Sequence, residues 1–320
     1  MDSVESKSIL FQKDDKCVDL AENWIMDPCL LPRTYQTEYE SLDNFNVRPD
    51  DVWFVGYPKS GTMWAQEMIW LICNNLDYEG AKSEILNRFQ YLEENLFTDL
   101  SKLRSKNVQL NTKVFPRFLS SHLPCHFLPK QLWTVRPRIV YLARNLKDVA
   151  ISMYHYNINF NTTPLIMECS LENMIENNTT FGSYHSHVTN FWNMRHLDNI
   201  IFLTYEEMKS DLPAVIEKLS KFMGKSYNED QVQKLTHHLS FENHSKNPYA
   251  NGEDIVSRLR EVAQKTSSDP ISKHARRGEV GSYKDEMPPE FIRRFNEWTE
   301  SEMKRLGCDP ELRKVFFLLE

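Results

Sequence analysis

Four apolar runs along the chain, 52–55 (VWFV), 117–121 (RFLSS), 138–143 (RIVYLA) and 199–205 (NIIFLTY), are too short for helices. The first, third and fourth lack the alternation of a half-exposed strand and predict strands covered on both faces, and the second predicts a short strand. Between them the spacing changes to that of helices. Apolar residues fall at 65, 68, 69, 72 and 76, and helical patterns recur at 147–154, 165–197, 212–223 and 229–239, with Phe191 and Trp192 on a buried face. Strands alternating with helices predict an α/β fold: one three-layer domain over residues 1–320, with a central parallel sheet flanked by helices. Residues 1–45 are polar and interrupted by Pro28 and Pro32, so they predict an irregular arm with room for one short strand. The charged stretch from Glu93 to Thr112 predicts a loop or short helix. No Gly, Ser or Pro-rich linker divides the chain.

The first strand leads through Tyr57-Pro58-Lys59-Ser60-Gly61-Thr62 into the first helix. Such a turn aims backbone N–H groups and the positive end of the helix dipole at one point, a natural seat for a phosphate-like anion. Lys59 adds a full charge, although it stands two residues before the glycine rather than after it, which disfavours ATP chemistry of the G-x-x-x-x-G-K-[ST] kind. An ordinary turn with a solvated lysine fits the same spacing. Only 9 glycines occur in 320 residues, and one of them is spent here.

The 117–121 strand delivers His122 at its C-terminal end, where ligands bind in open parallel sheets; a structural histidine is the alternative. Arg144 closes the 138–143 strand, either to fork onto a phosphate or to pair with Asp148. Ser152 follows on the next helix, where a hydroxyl bonded back to its own backbone is the common case. Residues 273–281 (KHARRGEVG) place three cations and two glycines in one stretch. Three basic spots, at Lys59, Arg144 and Arg276/Arg277, suit a ligand with several phosphates, whereas a solvated basic loop explains the last of them equally simply.

Composition narrows the partners. A net charge of -7 argues against nucleic acid. The six cysteines are scattered without C-x-x-C spacing and read as reduced thiols. The start, MDSVESKSIL, has no apolar core of a signal peptide, and no apolar stretch is long enough for a bilayer, so a cytoplasmic protein without membrane contact is expected.

Together the stretches 57–64 (YPKSGTMW), 120–124 (SSHLP), 138–155, 200–209, 239–248 (LSFENHSKNP) and 276–284 (RRGEVGSYK) resemble the cytosolic sulfotransferases, in that family's order from about residue 50 to 284. The resemblance implies a P-loop-like sulfotransferase fold. It also implies transfer of a sulfuryl group from 3′-phosphoadenosine 5′-phosphosulfate (PAPS) to a hydroxyl or amine, leaving 3′-phosphoadenosine 5′-phosphate (PAP), without a metal. By that resemblance Lys59, Ser60, Gly61, Thr62, Met63 and Trp64 hold the 5′-phosphosulfate. Lys59 also stabilises the leaving group, and His122 is the general base. Arg144 and Ser152 match the 3′-phosphate ligands, with Arg276, Arg277 and Gly278 closing over them, and Trp64, Tyr205 and Phe241 match the adenine surroundings. Phe89, Tyr91, Tyr154 and Tyr156 are expected to line the pocket of a small lipophilic acceptor such as a phenol or steroid-like alcohol. Two positions depart from the pattern: Met63 stands where the family commonly has threonine, and Ser120 where it commonly has lysine. A catalytically weakened relative that binds nucleotide or a lipophilic ligand is therefore the second reading. The family's dimer segment aligns with residues 284–289, where only Lys284 is kept and two prolines intrude, which leaves a homodimer through it unsupported.

Overall fold

The computed structural model describes residues 8–13, 23–96, 116–159, 165–266 and 271–317. Its first elements correct the expectation of an irregular arm. Ser8–Phe11 (β1) pairs antiparallel with Cys29–Pro32 (β2), and Tyr35–Asp43 forms α1. Cys29 and Leu31 alternate inward and are fully buried. Burial of that face, together with a partner strand 18 or more residues earlier, overrides the weak local pattern.

The chain then runs from β3 (Val52–Gly56) through α2 (Thr62–Cys73) and α3 (Ile85–Arg88) to β4 (Gln90–Tyr91) and β5 (Phe118–Ser121). It continues through α4 (Lys130–Val135) to β6 (Arg138–Ala143). Helices α5 (Leu146–Ile158), α6 (Met167–Ile175) and α7 (Tyr184–Asn193) lead to β7 (Ile200–Thr204). Next come α8 (Tyr205–Ser210), α9 (Leu212–Phe222), α10 (Glu229–His238), α11 (Phe241–Lys246) and α12 (Glu253–Val262). The last helices are α13 (Pro289–Leu306) and α14 (Arg313–Phe316). The predicted strands at 138–143 and 199–205 are found to within a residue at each end. Most of the stretch from Glu93 to Thr112 lies outside the described residues. The helical pattern expected over 165–197 is found as two helices, because residues 176–183 turn through Asn177, Phe181 and Gly182, all at positive φ. The amide of Phe181 donates to the carbonyl of Leu30 on β2, a tertiary contact that competes with helix continuation.

Five parallel strands form one sheet in the order β4-β5-β3-β6-β7. Alternate residues of the strands feed two cores. Trp53, Val55, Leu119, Ile139 and Tyr141 face one layer, with α4, α5, α7 and α13. Val52, Phe54, Phe118, Val140 and Leu142 face the other, with α2, α9 and α10. Covering both faces explains why β3, β6 and β7 read as continuous apolar runs. Because β3 is central, with its successors going first to one side and then to the other, the C-terminal ends of β5, β3 and β6 border a topological switch point. No helix among the described residues is long and apolar enough to cross a membrane, and the five described cysteines are free.

Candidate active site

Four strand ends supply the site. Lys59 follows β3, His122 follows β5, Arg144 follows β6 and Tyr205 follows β7. Between β3 and α2 the backbone turns sharply: Lys59 has φ 69° and Gly61 φ 104°. A Cβ at Gly61 would stand 2.8 Å from the Tyr205 ring, so only glycine fits this turn against its neighbour. The hydroxyls of Ser60 and Thr62 are buried at the start of α2 without hydrogen-bond partners, as is Nε of Arg144. Buried polar atoms are normally satisfied. Three orphaned donors beside a helix N-terminus therefore fit a polyanion with phosphate-like oxygens.

His122 is held from three sides. One oxygen of the buried Glu93 carboxyl accepts from the His122 amide (2.6 Å), the Leu123 amide (2.9 Å) and the Ser121 hydroxyl (2.8 Å). His187 donates from Nε2 to the His122 carbonyl at 3.1 Å and accepts from the Tyr141 hydroxyl on Nδ1 at 2.7 Å. The ring itself donates from Nδ1 to the carbonyl of Gly56 at 2.5 Å. A carbonyl can only accept, so Nδ1 carries the proton and Nε2 keeps its lone pair. Burial pushes the imidazole down to about 4, with Lys59's charge acting in the same direction against the Gly56 carbonyl. The histidine is thus a neutral base in one tautomer. Burial also raises Glu93 to about 7, against the hydrogen bonds it accepts.

Lys59 lies 4.2 Å from the centroid of the Tyr156 ring and 3.5 Å from Nδ1 of His274. Burial and the charge of Arg144 lower its ammonium to about 7, opposed by Glu253. Arg144 bridges two loops, donating to the carbonyls of Lys59 and Glu279 at 3.3 Å each, and its guanidinium rests 4.3 Å from the Tyr205 centroid. Asp148 is not its partner: that carboxylate accepts from the amides of Gly281 and Tyr283 and the hydroxyl of Ser282, tying the 281–283 turn to α5. Ser152 is half-buried on α5, beyond that anchor.

An aromatic slot adjoins Arg144. The rings of Trp64 and Tyr205 meet edge-on at 5.4 Å, and Trp64 Nε1 donates to the Leu239 carbonyl. Lys209 sits 5.9 Å from the Trp64 ring and 5.8 Å from that of Phe241. Gly278, at φ 64°, presses directly on Phe241. Arg276 and Arg277 are engaged in ion pairs, the first with Glu286 and the second with Glu279 and Asp285. Glu286 also pairs with His155, so the 284–289 segment is tied to its own chain.

The rings of Tyr91 and Phe181 both stand 5.6 Å from His122. Tyr154 is half-buried on α5 against His155. Phe89 lies elsewhere, in the core beneath the sheet against Phe118. Met63 packs with Ile255 and Leu259 of α12, and Ser120 is buried on β5. Glu93, Phe181, Lys209 and His274 were not among the residues singled out from the sequence. Lys209 could have been found, since it lies one helical turn after Tyr205. The positive φ of Phe181 and the contacts of His274 have no sequence signal. Among the described residues no group of three or more His, Cys, Asp or Glu could hold a metal ion.

A parallel α/β sheet with a phosphate-type turn after its central strand and a neutral histidine after the neighbouring one defines a group-transfer enzyme acting on a phosphorylated ligand. The sulfotransferase domain model matches residues 49–307. The chain belongs to that family, enzymes that draw on PAPS as sulfuryl donor. It is 33% identical to sulfotransferase 1B1 of Canis lupus familiaris over 256 residues, 79% of this chain and 83% of the relative. It is 32% identical to luciferin sulfotransferase of Photinus pyralis over 276 residues, 82% and 74% of the two chains. The solved structure of retinol dehydratase in complex with androsterone and the inactive cofactor PAP superposes with a TM-score of 0.78 at 26% identity, covering 94% of this chain and 92% of that one.

Proposed function

We propose that this chain moves the sulfuryl group of PAPS onto the hydroxyl of a small lipophilic acceptor, such as a phenol or steroid-like alcohol, with His122 as general base and Lys59 facing the leaving oxygen. The observation that carries this reading is the His122 tautomer: Nδ1–H is tied to the Gly56 carbonyl, which leaves a neutral Nε2 to take a proton from the acceptor. Ser60, Thr62 and the start of α2 would hold the 5′ end of the donor, Arg144 and Ser152 the 3′-phosphate, and Trp64, Tyr205 and Phe241 the adenine, with Arg276, Arg277 and Gly278 covering it. The donor, when bound, supplies an activated sulfuryl group. Lys59 contributes a positive charge in surroundings dry enough to make it count, where transferring-group charge develops. The aromatic rings of Tyr91, Phe181 and Tyr156 around His122 and Lys59 favour a flat or apolar acceptor.

The test is transfer of radiolabelled sulfate from PAPS to a panel of phenols, steroids, fatty alcohols and amines. Labelled product with at least one lipophilic hydroxyl compound is expected. Tight PAP binding without transfer to any acceptor would overturn the catalytic reading in favour of a binding protein.

Gly278 gives a further check on the nucleotide assignment. An alanine Cβ there would come within 2.0 Å of the Phe241 ring, and the left-handed backbone adds about 1–2 kcal/mol of strain. Gly278→Ala is expected to weaken PAP binding, measured by calorimetric titration, because the added Cβ must push the Phe241 ring out of its place in the proposed adenine slot. Unchanged affinity would remove Phe241 and Gly278 from the nucleotide site.

A further inference from the structure

The lysine of the turn is gripped by a residue from a distant loop. His274 approaches Lys59 across 215 positions of sequence. Its backbone amide donates to the carboxylate of Glu253 at 2.8 Å, which anchors the loop to the start of α12. Its ring is wedged against Gly252: a Cβ at that glycine would lie 2.8 Å from two ring carbons, so the ring occupies the space a side chain would need. The edge of Tyr156 meets the same ring at 6.0 Å and 86°. Three elements thus clamp one imidazole with a single nitrogen directed at the ammonium.

Resting on the transfer reading above, we infer that His274 is a positioning residue for Lys59, its Nδ1 accepting from the ammonium and holding that charge over the Tyr156 ring beside the phosphate turn. Ammonium groups only donate, so Nδ1 must present its lone pair and Nε2 carries the ring proton. Burial, with Lys59's charge next, keeps His274 neutral, consistent with an acceptor. The 3.5 Å separation is long for a hydrogen bond, as is common in sites that tighten when ligand binds. Position 120, where the resemblance places a second lysine, is a buried serine. The placement of Lys59 then carries more of the cationic work than it would with two lysines present.

The charged and titratable groups facing Lys59 are Arg144 from the end of β6, Glu253 from α12, Tyr156 from α5, His122 from the end of β5, and His274. Removing a neutral acceptor from this set disfavours the ammonium, because burial and Arg144 already do. The experiment is competitive acylation of Lys59 in the nucleotide-free protein from pH 5 to 10, with acetic anhydride as probe and peptide mass spectrometry as readout. The wild-type midpoint is expected near 7. In His274→Phe, which keeps a flat ring without an acceptor, the midpoint should fall by about one unit, seen as about tenfold more free amine below it. His274→Asn puts an oxygen close to the position of Nδ1 and should restore the wild-type midpoint. His274→Gln, whose oxygen falls nearer Nε2, should behave like the phenylalanine variant.

A midpoint unchanged in the phenylalanine or glutamine variant, or raised in either, would overturn the proposal. The Asn and Gln pair decides the matter even if the phenylalanine variant does not fold. Since acylation requires no donor, acceptor or turnover, a missing shift condemns the His274 assignment alone, whereas failure of sulfate transfer condemns the enzymatic reading.

Discussion

His122→Ala is expected to reduce kcat about 10²–10⁴-fold, the usual contribution of a positioned base, while PAP affinity stays at the wild-type value. The expectation rests on how completely the fold prepares this side chain. The Gly56 carbonyl selects the tautomer, burial keeps the ring neutral down to about pH 4, and Glu93 and His187 fix the backbone from either side. Alanine removes only the ring, so the backbone contacts to Glu93 and His187 survive. Steady-state kinetics with the best acceptor of the panel, beside calorimetric titration with PAP, separates the two quantities. Full activity in the variant would remove His122 from the chemistry. Equal losses in turnover and nucleotide affinity would make it a structural residue of the phosphate turn.

Lys59→Ala should lower kcat by about 10²–10³-fold, the range for loss of one preorganised donor to developing charge. It should also change the pH profile in a defined sense. With His122 as the proposed base, which must be neutral to act, activity is expected to fail as pH drops through about 4. With Lys59 as the proposed cation, burial together with Arg144 depresses the ammonium to about 7, so kcat/KM is expected to decline as pH rises through about 7. In kcat, which reports the bound state, the alkaline limb should lie higher, because a polyanion beside Lys59 favours the ammonium. The alanine variant should lose the alkaline limb and keep the acid one. An alkaline limb that persists without the lysine would assign it to another group and refute the role given to Lys59.

Strands β3, β6 and β7 were legible because each is covered on both faces, which compels an unbroken apolar run whatever its partners are, whereas β4, two half-buried residues at the sheet edge, gave no such run. The strand–turn–helix at residues 52–73 was legible for a similar reason, since a tight turn and a helical apolar face both leave local marks. The hairpin at residues 8–32 escaped notice. Its pairing is antiparallel and its strands are four residues long, so no local pattern rises above the polar background. The break between α6 and α7 was hidden too, because the amide that ends the helical path at Phe181 finds its acceptor on β2.

By itself the amino-acid sequence determined four of the five strands of the sheet, the turn that suits a phosphate, and which strands end in a lysine, a histidine and an arginine. These depend on hydrophobic period and turn chemistry, which neighbouring residues express together. The tertiary structure decided which nitrogen of His122 is free, which carboxyl braces it, which ring faces Lys59 and how far burial moves each charge. Those properties arise from groups separated by tens to hundreds of residues, and both hydrogen-bond partnership and desolvation depend on distance through space rather than along the chain.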